Sequence, residues 1–344
     1  MKTTTLIVDN NVNTTQAYAQ AVEKLLMGEV IAFPTETVYG LGAIATNEQA
    51  VAKIFEAKGR PSDNPLIIHF GDAHHILEYV REISDKAYKC MNAFWPGPLT
   101  LILHAKPNVL APNVTAGLHT VGVRIPDHPV ALELLTMLGQ PVAAPSANRS
   151  GKPSPTTALH VEKDLNGRIP LILDGGPTGI GLESTVVDFT IDPPVILRPG
   201  GVTASMLRQV VGEVIEPDTL IVDSASVPRS PGMKYAHYAP DASLYLIQPD
   251  HMAIENAIKS IHTKQQTVSL LAPDEFMQYH ADWFYSFGNQ ENLEASAHDL
   301  YAHLRACDDT PTDIILVTVP VKVGVGAAIL NRLEKAADGN WWHS

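Results

Sequence analysis

The chain has 344 residues, enough for two ordinary domains with buried cores, and its 45% hydrophobic and 18% charged residues mark it as globular. A formal charge of −13 argues against broad, non-specific binding to a phosphate backbone, while leaving room for a small basic pocket that takes one phosphorylated ligand. No apolar run approaches the roughly 20 residues of a membrane span.

The N-terminal "MKTTTLIVDNNV" lacks the long apolar region of a secretion signal and reads as mature sequence. Apolar runs and helical patterns then alternate. "TTQAYAQAVEKLLMG" predicts a helix with Ala17, Ala21, Leu25 and Leu26 on one face and Gly28 as its stop. "EVIAF" follows as a short strand, and "NEQAVAKIFEAKG" as a helix capped by Asn47 and ended by Gly59. Strands are predicted at "PLIIHF", "LTLILHA", "TVGVRI", "PVAA", "PLIL", "STVVDF" and "PVILR", with a helix at "HPVALELLTMLG". Strands this numerous, interspersed with helices, predict one large sheet with helices packed on it.

From about 213 to 242 the pattern fades into Pro, Ser, Asp and Gly, as in a connector. Beyond it "SLYLIQ", "TVSLLA", "FYSFG" and "DIILVTV" alternate with helices, the clearest being "LEASAHDLYAHLRACDD" and "GAAILNRLEKAAD". That alternation predicts a small α/β domain with a parallel sheet. The expected division is 1–212, a connector 213–242, and 243–344.

Several chemistries are not signalled. Cys90 and Cys307 are far apart and outside any C-x-x-C pair, which favours a reducing cytosol over a disulfide scaffold or thiolate zinc site. The 14 histidines are scattered. There is no G-x-x-x-x-G-K-[ST], and "GVGAAI" at 324 is a partial G-x-G better explained by tight packing at a helix start.

What stands out is a set of polar, Gly/Pro-rich segments, most at strand ends. "FPTETVYGLG" places Thr35, Glu36, Thr37 and Tyr39 directly after a strand, and "KGRPSDNPLIIHF" supplies Lys58, Arg60 and a strand ending at His69. "TVGVRIP" carries Arg124, "APSANRSGKPSP" carries Ser146, Asn148 and Ser154, "GLESTVVDF" carries Glu183 and Ser184, and "ILRPGG" carries Arg198. Each alone has a plain reading as strand or turn chemistry. Together they set Lys58, Arg60, Arg124 and Arg198 within or beside strands of an acidic chain. Cations there need partners, and a polyanionic ligand such as a nucleoside triphosphate would supply them.

These segments, in this order, resemble the threonylcarbamoyl-AMP synthase family in its two-domain form. The matches are "PTETVYGLG", "KGRP" with "NPLI", "FWPGPLTLIL", "VGVRIPDHP", "APSANRSGKPSPT", "ESTVVD" and "ILRPG", with "SPGMKYAHYAP" and "GAAILNRLEKAA" characteristic of the two-domain form. The resemblance implies an α/β (α+β) fold: a large N-terminal YrdC-like domain with a twisted mixed sheet and flanking helices, plus a smaller C-terminal Rossmann-like α/β domain. It implies condensation of L-threonine, bicarbonate or CO2, and ATP to threonylcarbamoyl-AMP and pyrophosphate. The product would pass in the cytoplasm to the tRNA threonylcarbamoyl-transferase machinery, with no membrane involved and only weak or transient direct tRNA binding.

By the same resemblance Thr35, Thr37, His69, Arg124 and Ser184 would bind threonine. Arg60, Asn64, Thr120, Ala144, Ser146, Ser154, Arg198, Tyr235 and His237 would bind ATP. Lys58, Arg60, Ser146 and Asn148 would stand at the reacting groups. Mg2+ is expected with ATP, its protein ligands unknown, and the connector would cover the site. Two positions depart from the family pattern: His119, where an acidic residue is common, and Ala236, where a basic one is. Two other readings compete. A double-stranded RNA-binding module is disfavoured by the acidity and by the lack of a dense Lys/Arg stripe. A carbamoyl-phosphate-using relative from hydrogenase maturation would carry zinc-finger and acylphosphatase segments that this chain lacks.

Overall fold

The structure, a computed structural model, describes residues 2–9, 14–216 and 238–343. Tyr235 and His237, and with them most of the expected cover over the site, lie outside the described residues. The described residues fall into two compact units, one drawing on 2–150, 155–179 and 183–216, the other on 151–154, 180–182 and 238–343.

In chain order the first unit runs β1 (Thr4–Ile7), α1 (Thr14–Leu26), β2 (Ile31–Phe33), β3 (Gly40–Ile44), α2 (Glu48–Lys58), β4 (Ile67–His69), α3 (Asp85–Phe94) and β5 (Leu99–His104). It continues through α4 (Pro112–Thr115), β6 (Thr120–Arg124), α5 (Pro129–Leu138), β7 (Val142–Ala143), α6 (Ala158–Leu165), β8 (Leu171–Asp174), β9 (Thr185–Asp188), β10 (Val195–Arg198) and α7 (Ala204–Val211). All ten strands join one mixed sheet in the order β1-β8-β2-β3-β7-β4-β6-β5-β9-β10.

Local chemistry fixes the helix ends as the sequence predicts. The Asn47 side chain accepts from Ala50 N at 3.0 Å, satisfying one free amide of the first turn of α2. Gly59 ends that helix at φ 64°, a conformation that costs glycine little. Strands β1 and β3 are not predicted, and β3 begins inside the Gly/Pro-rich segment "FPTETVYGLG". A Cβ on Gly42 would lie 2.6 Å from Val142 Cγ1 and 2.7 Å from Phe33 Cε1, so close packing against both neighbours demands the glycine.

The two faces of this sheet are covered unequally, and that creates the site. One face buries Ile68, Leu101, Val123, Val187 and Ile196 in a core shared with Ile54 and Phe55 of α2, Cys90 and Met91 of α3 and Leu207 of α7. On the other face, α1 and α5 pack over β2, β3, β7 and β8 through Leu25, Leu134, Phe33, Val142 and Leu173. Val142 stands opposite His69, and His69 beside Arg124, so these three share that second face. Farther along it, the core is a small cluster of strand residues alone, Ile67, Ile102, Val186 and Leu197, with Val195 against it.

In the second unit β11 (Ser243–Ile247), α8 (His251–Thr263), β12 (Val268–Ala272), β13 (Trp283–Ser286), α9 (Leu293–Cys307), β14 (Ile314–Thr318) and α10 (Val325–Ala336) follow in turn. The four strands form one sheet in the order β11-β14-β12-β13, with every pairing parallel. Tyr238 stacks on Tyr301 at 5.3 Å, with the Arg332 guanidinium 5.8 Å from its ring. A cavity of about 450 Å³ opens beside the carboxyl ends of the strands, lined by Pro249, Pro273, Phe287, Thr318 and Ile329 among others. At the "GVG" preceding α10, a Cβ on Gly326 would sit 2.1 Å from Val321 O, which is the tight packing read from the sequence.

Candidate functional site

Arg124 ends β6 on the thinly covered face and is buried there. Its Nη1 donates to Thr37 Oγ1 at 3.0 Å and its Nε to Gly97 O at 3.3 Å. Thr37 Oγ1 lies 2.8 Å from Thr35 Oγ1, which donates onward to Val38 O at 2.7 Å. Because the Thr35 hydroxyl is committed to that carbonyl, Thr37 is the donor between the two hydroxyls. The loop after β2 is thus ordered by a relay of hydroxyls anchored on one guanidinium. Nη2 is the remaining corner, and it faces Glu36 Oε1 at 2.6 Å.

The "ESTVVD" and "ILRPGG" segments meet beside it. Arg198 Nε donates to Ser184 O at 3.1 Å and Nη2 to Ser184 Oγ at 3.2 Å, while Ser184 Oγ lies 2.8 Å from Thr100 Oγ1. A Cβ on Gly200 would fall 2.4 Å from Thr185 N, so the turn after Arg198 closes against the start of β9 only as glycine. Gly97 and Pro98 join the two groups: Gly97 O accepts from Arg124, and Pro98 O accepts from Thr185 N at 2.9 Å.

A second cluster sits where β7 ends and β4 and β6 begin. Lys58, the last residue of α2, is buried and places Nζ 2.5 Å from Ser146 O, 2.6 Å from Asn148 O and 3.2 Å from Asn148 Oδ1. Ser146 Oγ donates to Asn148 Oδ1 at 2.5 Å, and Ser150 N donates to Lys58 O at 2.8 Å. Lys58 therefore organises the "APSAN" loop. Ala144 N donates to Ile67 O at 3.0 Å, and Arg60 Nη2 donates to the carbonyls of Asn64 and Pro65, both at 3.3 Å. Thr120 is half-buried opposite His104 at the start of β6.

The residues foreseen for threonine and for ATP thus separate along the strands. Thr35, Thr37, His69, Arg124 and Ser184 gather around the ends of β4 and β6, and Lys58, Ser146, Asn148, Ala144, Asn64 and Thr120 around the starts. Five residues of strand span about 13 Å, the scale of an extended ligand lying across the sheet. Arg198, foreseen with the nucleotide, stands with Ser184 in the first group. Ser154 is fully buried and belongs to the second unit.

Several polar atoms here are buried with no aligned hydrogen-bond partner: both Glu36 oxygens, Arg124 Nη2, His69 Nδ1, and the two side-chain atoms of Asn64. Buried polar groups are nearly always satisfied, so unaligned ones in both clusters, around Arg124 and at Asn64, point to a polar ligand. Burial, with the Arg124 charge adding to it, pushes His69 down to about 3, and the ring is neutral at physiological pH. Tyr39, behind this wall, donates to Gly176 O at 2.7 Å, and burial holds its phenol well above the usual range.

Among the described residues no three His, Cys, Asp or Glu side chains gather to hold a metal ion. The sequence reading gave no role to Glu36, Thr100 or Gly97. Glu36 lay in a segment that was singled out, whereas Thr100 sits in an apolar strand and carries no signal of its own.

A family model described as "Telomere recombination" matches residues 23–200, and one described as "Threonylcarbamoyl-AMP synthase, C-terminal domain" matches residues 202–338. The chain is 51% identical over 322 residues to the threonylcarbamoyl-AMP synthase of Bacillus subtilis, covering 93% of each. It is 44% identical over 314 residues to that of Pyrococcus abyssi, covering 90% of this chain and 91% of the relative. The crystal structure of P. abyssi Sua5 complexed with L-threonine is similar with a TM-score of 0.93 at 41% identity, covering 99% of this chain and 100% of that one.

Proposed function

The chain belongs to the threonylcarbamoyl-AMP synthase family, in the form with a second, C-terminal domain, and from that premise we propose how its residues divide the work. The enzyme condenses L-threonine, bicarbonate or CO2, and ATP into threonylcarbamoyl-AMP and pyrophosphate, the activated intermediate for modifying tRNA next to the anticodon.

Threonine is read at the ends of β4 and β6. Arg124 pairs with the substrate carboxylate through its remaining corner, Nη2, and neutral His69 exchanges a hydrogen bond with the side-chain hydroxyl. Thr35, Thr37 and Ser184 complete that shell. MgATP, the nucleotide substrate, lies toward the starts of the same strands. Asn64 and Thr120 face it, the loop of Ser146 and Asn148 is held in shape for it by Lys58, and the phosphates would supply most ligands of a bound Mg2+. A carbamate oxygen of the substrate then attacks the α-phosphorus as its bond to the bridging oxygen of pyrophosphate breaks. The residues present suit this step, which needs positioning and charge neutralisation more than a covalent nucleophile.

The observation that carries this reading is the group of buried polar atoms around Arg124 without an aligned hydrogen bond, a guanidinium corner paired to Glu36 only as an ion pair and an imidazole nitrogen, standing where a carboxylate and a hydroxyl would satisfy them. Pyrophosphate release dependent on both threonine and bicarbonate tests it.

We assign catalysis to residues 1–212, joined by 213–242 to a domain of supporting role over 243–344. We place the enzyme in the cytoplasm, in keeping with two free, buried cysteines and with no helix among the described residues long and apolar enough to cross a membrane. Its net charge of −13 favours passing the intermediate to a separate transferase over holding tRNA itself.

A further inference from the structure

Among the described residues, Glu36 is the acidic side chain paired with the Arg124 guanidinium, and its geometry is unlike that of a structural ion pair. The side chains of Glu36 and Arg124 are 10% and 5% exposed. Oε1 lies 2.6 Å from Nη2, yet neither carboxylate oxygen receives an aligned N–H or O–H. A buried carboxylate held for stability alone has its lone pairs filled, because an unmet one is expensive in low dielectric. The other corners of the guanidinium are committed to Thr37 and Gly97, so Arg124 cannot turn to meet Glu36 squarely without releasing the loop after β2.

We propose that Glu36 is the recognition residue for the α-ammonium of the amino-acid substrate. The proposal rests on the reading of Arg124 as the carboxylate site. At that corner Arg124 offers a cation, Glu36 an anion and His69 a neutral imidazole, while the neighbouring Arg198 is spent on Ser184, and a hydroxy amino acid presents the complement: one carboxylate, one ammonium and one hydroxyl. With substrate absent, Arg124 and Glu36 neutralise each other. With substrate bound, each takes the opposite charge of the zwitterion, so no charge is left buried and alone. The ammonium brings three donors to a carboxylate whose two oxygens lack aligned ones. Lys58 does not compete for this carboxylate, since Ser146 and Asn148 surround its ammonium in the other cluster.

The consequence is selectivity for a free α-amine. It is tested by calorimetric binding of L-threonine and of its analogue with the amine replaced by hydroxyl, 2,3-dihydroxybutanoate of matching configuration. The wild-type protein should prefer threonine by about 10-fold to 100-fold, the worth of a hydrogen bond to a charged group. Glu36→Gln should lose that preference by weakening threonine while leaving the dihydroxy acid within about 3-fold, and Glu36→Asp should keep most of it. Equal weakening of both ligands in Glu36→Gln would mean that the carboxylate only positions Arg124, and would overturn the proposal. A wild-type preference near unity would overturn it without any variant. Failure of the wild-type protein to bind threonine at all would instead remove the substrate reading on which the proposal stands.

Discussion

Arg198 grips Ser184 at both of its oxygens, Nε on the carbonyl at 3.1 Å and Nη2 on the hydroxyl at 3.2 Å. Fourteen residues of chain fold back to make this contact, and Thr100 meets the same hydroxyl from β5. The two-pronged geometry needs a guanidinium. Arg198→Lys should therefore misplace Ser184 while keeping the charge, and raise the KM for threonine by about 10-fold or more. An unchanged threonine KM with a raised ATP KM would return Arg198 to the nucleotide.

Asn64 separates function from stability. Its side chain is fully buried with neither amide atom satisfied, so Asn64→Leu removes an unmet polar group from the folded state. Thermal or denaturant unfolding should show a variant as stable as the parent, or more stable by about 1–3 kcal/mol. ATP turnover should fall by about 10-fold or more, because the ligand loses the group that waited for it. A variant that unfolds more easily and turns over normally would make Asn64 structural.

Much of this architecture was legible in the sequence. Strands β4, β5, β6, β8, β9 and β10 stand where apolar runs bounded by turns predicted them, and α2 begins and ends on its predicted caps. Other elements were hidden for physical reasons. β1 is largely exposed and shows no apolar alternation, and the glycines of β3 answer to the crowding of Phe33 and Val142 rather than to a turn. The helices α3, α6 and α7 are short, and their clearest marks in the sequence are the caps Ser84, Thr157 and Thr203. The site residues were visible by type. That His69 and Arg124 are neighbours in register, and that Glu36 faces Arg124, depends on strand pairing across long stretches of chain, which local sequence does not encode.

His69 makes a pH-dependent contribution of definite sign. Burial and Arg124 lower it to about 3 in the folded protein, against 6.5 for an ordinary histidine. Between those values the unfolded chain binds a proton that the native chain refuses, so stability falls as pH drops below 6.5 and is constant above it. From pH 7.5 to pH 5 this group should remove about 2 kcal/mol. His128 and His303 are shifted the same way by burial, so the wild-type loss will be larger and the difference from His69→Gln isolates the one group. Identical losses in both proteins would contradict a buried, neutral His69.

Lys58 is assigned to holding the loop of Ser146 and Asn148, which predicts a structural penalty. Lys58→Met would strip three acceptors of their donor, costing about 3 kcal/mol or more. In a unit of this size that lowers the Tm by roughly 10 °C, with activity lost in parallel. A Tm within about 2 °C of the parent, beside a raised ATP KM, would place the ammonium on the phosphates instead.

The most direct measurement of the whole account is pyrophosphate release from MgATP with bicarbonate and one amino acid at a time. Release should require both bicarbonate and threonine. Serine, short of one methyl group, should be disfavoured by only about 10-fold to 200-fold, and valine, which leaves the buried hydroxyl partners unmet, more strongly still. Release that ignores bicarbonate, or that proceeds equally with threonine and valine, would contradict the assignment of Arg124, His69 and Ser184 to a threonine pocket.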